Sequence, residues 1–138
     1  MQPLAELRKT YQAHRALIFD ALQSPEQVEA ALKAHAFAVD DVLIQQWQKH
    51  GLDRKPLTLM AVGGYARCEL FPHSDVDILL LHHGANVAAI AGIETFLSEA
   101  WDLGFDVGHS VRSVEECITE AAADVTVATS LLERRTII

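Results

Sequence analysis

Through the first fifty positions apolar residues recur at intervals of three and four, and after position 56 that spacing gives way to short unbroken apolar runs. Leu4, Leu7, Tyr11, Ile18 and Leu22, with polar residues between them, predict an amphipathic helix. Ser24-Pro25-Glu26-Gln27 then joins an N-cap serine to a proline in the first turn and a glutamine three residues on, a helix-start signature. The second helix carries the stripe Val28, Leu32, Val39, Leu43 and Trp47, with His50-Gly51 as its end.

Leu57 to Val62 is an apolar run closed by Gly63-Gly64, which predicts a buried strand after the loop Asp53-Arg54-Lys55-Pro56. Tyr65 to Ser74 is a compact segment opening on a short helix, and Val76 to Leu81 is a second strand with Asp75 and Asp77 at its start. Asn86 precedes a third helix in which Ile90, Ile93, Leu97 and Trp101 share a face and Gly104 provides the stop. Phe105 to Arg112 reads as a third strand. Ser113-Val114-Glu115-Glu116 has the form of a capping box for a helix to about Ala122, and Asp124 caps a last helix containing Ala128, Leu131 and Leu132. That helix is expected to run to the apolar end Ile137-Ile138, as in a chain cut from something longer. The order predicts an α/β (α+β) fold with a small mixed sheet flanked by helices: an N-terminal helical pair, residues 1–52, packs on a core of residues 53–138.

Composition narrows the function classes. Half of the 138 residues are apolar, enough for one domain with a real core. The net charge of -8 repels long polyanions, so no nucleic-acid partner is expected, whereas a single nucleotide bound through magnesium is compatible with acidic groups. Cys68 and Cys117 are too few and too far apart for a redox or zinc motif and read as reduced thiols. No apolar run approaches the roughly 20 residues that span a bilayer, and the start has no leader pattern; the expectation is a cytoplasmic protein without a membrane partner.

The chemistry lies in Gly63-Gly64-Tyr65-Ala66-Arg67-Cys68-Glu69-Leu70-Phe71-Pro72-His73-Ser74-Asp75-Val76-Asp77. Residues two apart on a strand point to one face, so Asp75 and Asp77 form a carboxylate pair while Val76 points away. Their repulsion is relieved by a shared proton or by a hard cation such as Mg2+. Gly63 and Gly64, between a strand and a helix start, let phosphate oxygens approach backbone amides. Triphosphate and metal held together in this way suit in-line nucleotidyl transfer, with two metals roughly 3.5–4 Å apart able to serve the attacking and departing oxygens. Singly, a glycine pair is usually a turn and an Asp-x-Asp usually a solvated strand end; their spacing gives the combination its weight. Arg67 has two readings, a phosphate contact or a surface pair with Glu69, and Ser74 also has two, a donor to phosphate or the brace of the turn before the strand. Tyr65 reads as packing.

This stretch, continued by Ile78-Leu79-Leu80-Leu81, resembles the signature of the DNA polymerase β-like nucleotidyltransferase superfamily, and more narrowly its form in the bifunctional uridylyltransferase and uridylyl-removing enzymes that modify the nitrogen-signalling protein PII. Trp101-Asp102-Leu103-Gly104, Gly108-His109-Ser110-Val111-Arg112-Ser113, Asp124 to Thr129 and Leu131 to Arg135 extend the likeness over about residues 57–135. The resemblance implies transfer of UMP from UTP to a tyrosine of PII with magnesium required and pyrophosphate released, Gly63 and Gly64 serving the triphosphate and Asp75 and Asp77 the metal. Ala66 stands where a glycine is frequent, a small departure in the loop.

The superfamily normally adds a third carboxylate from a later strand. Asp106 is the candidate, as metal ligand or as base for the tyrosine proton, with surface turn residue as the plain alternative and Asp124 behind it as a helix cap. His109 is expected to be a hydrogen-bonded structural histidine among apolar neighbours, and His82-His83 to be solvent-facing loop residues. Hydrolase and glutamine-sensing regions, which the resemblance would place after the transferase, have no counterpart in this sequence. The rival readings are adenylyl or other nucleotidyl transfer to another protein or small hydroxylated molecule, and a non-catalytic nucleotide-binding module.

Overall fold

In a computed structural model that describes residues 2–84 and 90–138, two long helices precede a four-stranded mixed sheet. Helix α1 (Leu4–Asp20) lays Leu7 and Tyr11 on helix α2 (Val28–Lys49), whose Ala36, Val39, Leu43 and Trp47 are fully or almost fully buried. Leu22 falls just beyond α1. The expected serine cap is not made: Ser24 receives no side-chain capping bond, residues Pro25–Gln27 form a 3-10 turn, and Gln27 Oε1 instead accepts from the Gln23 N–H at 2.8 Å. Proline can open either kind of turn, so its position alone does not fix where the α-helix begins. Helix α2 ends as expected at Gly51, whose φ of +66° supplies the left-handed residue after the last turn.

Strand β1 (Leu57–Ala61) pairs antiparallel with β2 (Val76–His82), and β2 pairs parallel with β3 (Val107–Ser113). Between β1 and β2 lies α3 (Gly63–Ala66), a single turn; between β2 and β3 lies α4 (Ile93–Asp102). The Asn86 cap expected for this helix lies outside the described residues, and α4 begins after Gly92. Its buried positions are Ile93, Phe96 and Ala100, followed by Leu103, whereas Trp101 is 54% exposed. Ile90 and Leu97 pack against the core beside Ile93 as expected, Trp101 alone of the four turns outward, and Phe96, edge-on to Trp47 with ring centroids 5.2 Å apart, takes the deepest place.

After β3, α5 (Val114–Ala123) starts with the anticipated capping box: Ser113 Oγ accepts from the Glu116 N–H at 3.0 Å and Glu116 Oε2 accepts from the Ser113 N–H at 3.2 Å. Helix α6 (Val125–Leu132) starts on Asp124, whose Oδ1 accepts from the Thr126 N–H at 2.8 Å. It does not continue to residue 138. A short strand β4 (Arg135–Thr136) follows and adds antiparallel to the outer edge of β1, giving the order β3-β2-β1-β4. Ile137 and Leu59 extend that pairing through an N–H to carbonyl bond of 2.9 Å.

The register assigns the two faces of the sheet. Leu57, Leu59, Ala61, Val76, Ile78 and Leu80 face α1, α2 and α4 in one large apolar cluster. Met60 and Leu79 face the other way, onto Cys117 and Leu131 of α5 and α6, and an open cavity of about 370 Å³ remains beside them. Asp77 begins this second face, in line with Leu79 and Leu81 and beside Gly108, Ser110 and Arg112. Both cysteines are free thiols. Among the described residues no helix is long and apolar enough to cross a membrane.

Candidate active site

The carboxylate pair is built by the start of β2. Val76 anchors this end in the core and donates its N–H to the Asp106 carbonyl at 2.8 Å, which fixes the strand against the approach to β3. Asp75 is exposed and Asp77 half-buried, and the Asp77 carbonyl accepts from the Val62 N–H at 3.0 Å, tying the pair to the end of β1. Partial burial raises the Asp77 carboxyl above its ordinary range, and the nearby charge of Asp75 raises it further.

Two glycines make room for Asp77. A Cβ at Gly63 would meet Asp77 Oδ2 at 3.3 Å, and one at Gly108 would meet Oδ1 at 2.3 Å. Gly63 also has a φ of +63°, so the chain turns from β1 into α3 directly beside the carboxylate. The first N–H groups of such a turn lack intrahelical acceptors. A glycine turn and the carboxylate pair, eleven residues apart at their nearest in sequence, thus meet at one end of the sheet.

The other sequence candidates separate. Arg67 pairs with Glu69 at 3.0 Å and with Glu133 at 2.6 Å, an arrangement that gives its surface-pair reading direct support. Ser74 Oγ accepts from the Phe71 N–H at 3.2 Å and so braces the turn before β2. Asp106 is exposed and precedes β3, which begins at Val107 rather than Phe105. It lines a polar cavity of about 330 Å³ with Arg15, His73 and Ser74. Among the described residues no three His, Cys, Asp or Glu side chains are grouped to hold a metal, so Asp106 is not gathered with the pair. The place beside Asp77 on β3 belongs to Gly108.

The histidines differ from expectation. His109 is exposed on β3 and meets Trp101 of α4 edge-on at 6.2 Å, while Val107 and Val111 on the same face pack against the core. His82 closes β2 instead of lying in a loop, and His83 shares a 3.2 Å hydrogen bond with Thr58 Oγ1. The buried histidine is His35: its Nδ1 donates to the Leu70 carbonyl at 2.8 Å while Nε2 accepts from the Tyr11 hydroxyl at 2.7 Å, the pattern of a neutral ring. Burial lowers its pKa.

Sequence reading also missed an ionic knot behind the glycine turn. Arg135 donates to both carboxylate oxygens of Asp40, at 2.6 and 3.1 Å, and to the carbonyls of Tyr65 and Ala66, each at 3.3 Å. The Tyr65 hydroxyl donates to the same Asp40 carboxylate. Tyr65 is buried, as expected of a packing residue, and the unfavourable burial of its phenolate and the Asp40 charge hold its pKa well above the ordinary value.

Fold and site together define a mixed α/β domain with a carboxylate pair beside a glycine turn. No family model matches the chain. It is 48% identical over 134 residues to a bifunctional uridylyltransferase/uridylyl-removing enzyme of Ralstonia nicotianae, 42% identical over 134 residues to that of Chromobacterium violaceum, and 44% identical over 137 residues to that of Burkholderia mallei. The matches cover 96–99% of this chain, which spans 15–16% of the length of those relatives. The chain belongs to the family of bifunctional uridylyltransferase/uridylyl-removing enzymes as the counterpart of one segment of them.

Proposed function

We propose that this chain carries the catalytic core of a cytoplasmic, metal-dependent uridylyltransferase, which moves UMP from UTP to a tyrosine hydroxyl of PII and releases pyrophosphate. The observation that carries the proposal is the placing of the Asp77 carboxylate, two residues after Asp75 and between two glycines at which a Cβ would invade its space. Uridylyl transfer is favoured over other nucleotidyl transfer by the names of relatives that match nearly the whole chain.

The donor set fits a hard divalent cation such as Mg2+: both side chains offer only oxygen, and their mutual repulsion falls when a cation enters. Asp75 and Asp77 would hold it, and when bound it would neutralise charge on the triphosphate. The chain's own residues do the remaining work. Gly63 and Gly64 admit phosphate oxygens to the turn's N–H groups. The β1–β2 pairing fixes the distance between that turn and the carboxylates, so the α-phosphorus is oriented without reorganising the site. Asp106, outside the pair, is kept as a candidate base for the acceptor hydroxyl.

The test is calorimetric binding of UTP, ATP, CTP and GTP with magnesium. UTP should bind most tightly, and its binding should be lost in Asp77→Asn. Equal affinity for all four would remove the uridylyl assignment, and magnesium-independent binding would remove the metal.

A further inference from the structure

The glycine turn is held from behind by a residue seventy-one positions on from Gly64. Arg135 on β4 reaches across the end of β1 and donates through its fork to Asp40 of α2, while its remaining donors reach the Tyr65 and Ala66 carbonyls inside α3. Its guanidinium also lies 5.3 Å from the centroid of the Tyr65 ring. Two residues earlier, Glu133 pairs with Arg67, the C-cap of α3. A helix of one turn has little stability of its own, since few hydrogen bonds offset the ordering of its backbone. Its conformation must come from such tertiary contacts.

We propose that Arg135, seated by Asp40, is a positioning residue for nucleotide binding: it fixes the Gly63–Gly64 turn in the conformation that seats the triphosphate. This rests on the triphosphate reading given above. The bidentate pair with Asp40 orients the guanidinium, and the two carbonyl contacts transmit that orientation to α3. Lysine at this position keeps the charge opposite Asp40 but lacks the planar fork that reaches Asp40 and both carbonyls at once.

The test uses the full chain with Arg135→Lys, Arg135→Met and Asp40→Asn, and three readouts. The first is amide hydrogen exchange of Arg67 and Glu69, whose N–H groups donate to the carbonyls of Gly63 and Gly64 at 3.3 and 3.0 Å, compared with exchange in β2. The second is the Kd for magnesium-UTP, and the third the Kd for Mn2+ alone. Arg135→Met should speed exchange at Arg67 and Glu69 by about tenfold relative to β2 and weaken magnesium-UTP by about tenfold, with the Mn2+ Kd within about twofold of wild type. Arg135→Lys should fall between, and it carries the test where the methionine variant fails to fold. Unchanged exchange at Arg67 and Glu69 in a folded variant overturns the proposal. So does faster exchange with unchanged nucleotide affinity, because the turn would then move without consequence for the ligand. Failure of the wild-type chain to bind any magnesium-nucleotide overturns the triphosphate reading itself, and the exchange data still report whether Arg135 holds the turn.

Discussion

Replacing Gly108 by alanine places a methyl where the Asp77 carboxylate lies. An ideal Cβ at residue 108 is 2.3 Å from Asp77 Oδ1, against a floor of 3.0 Å for real Cβ contacts, so the carboxylate or the strand must give by 3.0 − 2.3 = 0.7 Å. Asp77 has a short side chain on a strand paired on both sides, and its backbone has little freedom to move. Rotation of the carboxylate away from Asp75 is the cheaper response. Overpacking of this kind costs about 1–3 kcal/mol, while exchanging glycine for alanine inside a strand returns about 0.5–1 kcal/mol. The net loss of about 0–2.5 kcal/mol corresponds to a melting shift of up to several degrees, at roughly 4 °C per kcal/mol for a chain of this size. Under the metal reading proposed above, displacing one of the two carboxylates is the larger effect and should weaken divalent-metal binding by at least about tenfold, or 1.4 kcal/mol. The assay is Mn2+ titration by calorimetry with a parallel thermal melt. Ser110→Ala, on the same face of β3 but adding no atoms, is the control and should bind within about twofold of wild type. A folded Gly108→Ala chain that binds metal as tightly as wild type would refute the reasoning.

Asp77→Asn should raise the melting temperature of the metal-free chain near neutral pH. A raised carboxyl pKa means the folded state binds the proton more tightly than the unfolded state, so the ionised form costs stability above the folded pKa and that cost disappears as pH falls through it. The difference between variant and wild type should close on acidification in the presence of chelator; a constant offset would count against the cause given. His35 has the opposite sense: its lowered pKa means the unfolded chain takes up a proton first, so stability should decline as pH falls below about 6.5, and His35→Gln should flatten that slope in urea titrations. For Glu99, burial raises the carboxyl but donation from His50 at 2.8 Å and Lys49 at 3.0 Å outweighs it, leaving the pKa lowered. Its contribution is present above about pH 4.5 and lost as pH falls through the folded pKa. Glu99→Gln should cost about 1–2 kcal/mol by denaturant unfolding, because the pair is only partly screened and joins α2 to α4.

Local signals in the sequence foretold much of the local structure, the Ser24 cap excepted. The Ser113 box and the Asp124 cap act within three residues of themselves, and both form as expected. The alternation Val76-Asp77 likewise needs only strand geometry to turn Asp77 away from the core that Val76 enters, and Asp75 lies one residue ahead of β2. Errors arose where distant partners decide. Trp101 turns outward while Phe96 takes the deepest place on α4 because Trp47 lies opposite it, and His109 is exposed although Val107 and Val111 on the same face pack inward. Strand β4 is two residues long and exists through its pairing with β1, so no period could reveal it. The Arg135 knot joins residues 40, 65 and 135, a combination without a sequence signature. Gly108 could have been recognised as Asp77's neighbour only once the parallel register of β2 and β3 was known.

Label transfer distinguishes the chemistry most directly. The protein is incubated with magnesium, PII and UTP labelled at either the α- or the γ-phosphorus, and PII is recovered and its tyrosines analysed. The account predicts α-label on PII tyrosine, γ-label released in pyrophosphate, and no transfer by Asp75→Asn or Asp77→Asn. Absence of α-label on PII with the wild-type protein, or undiminished transfer by Asp77→Asn, would contradict it.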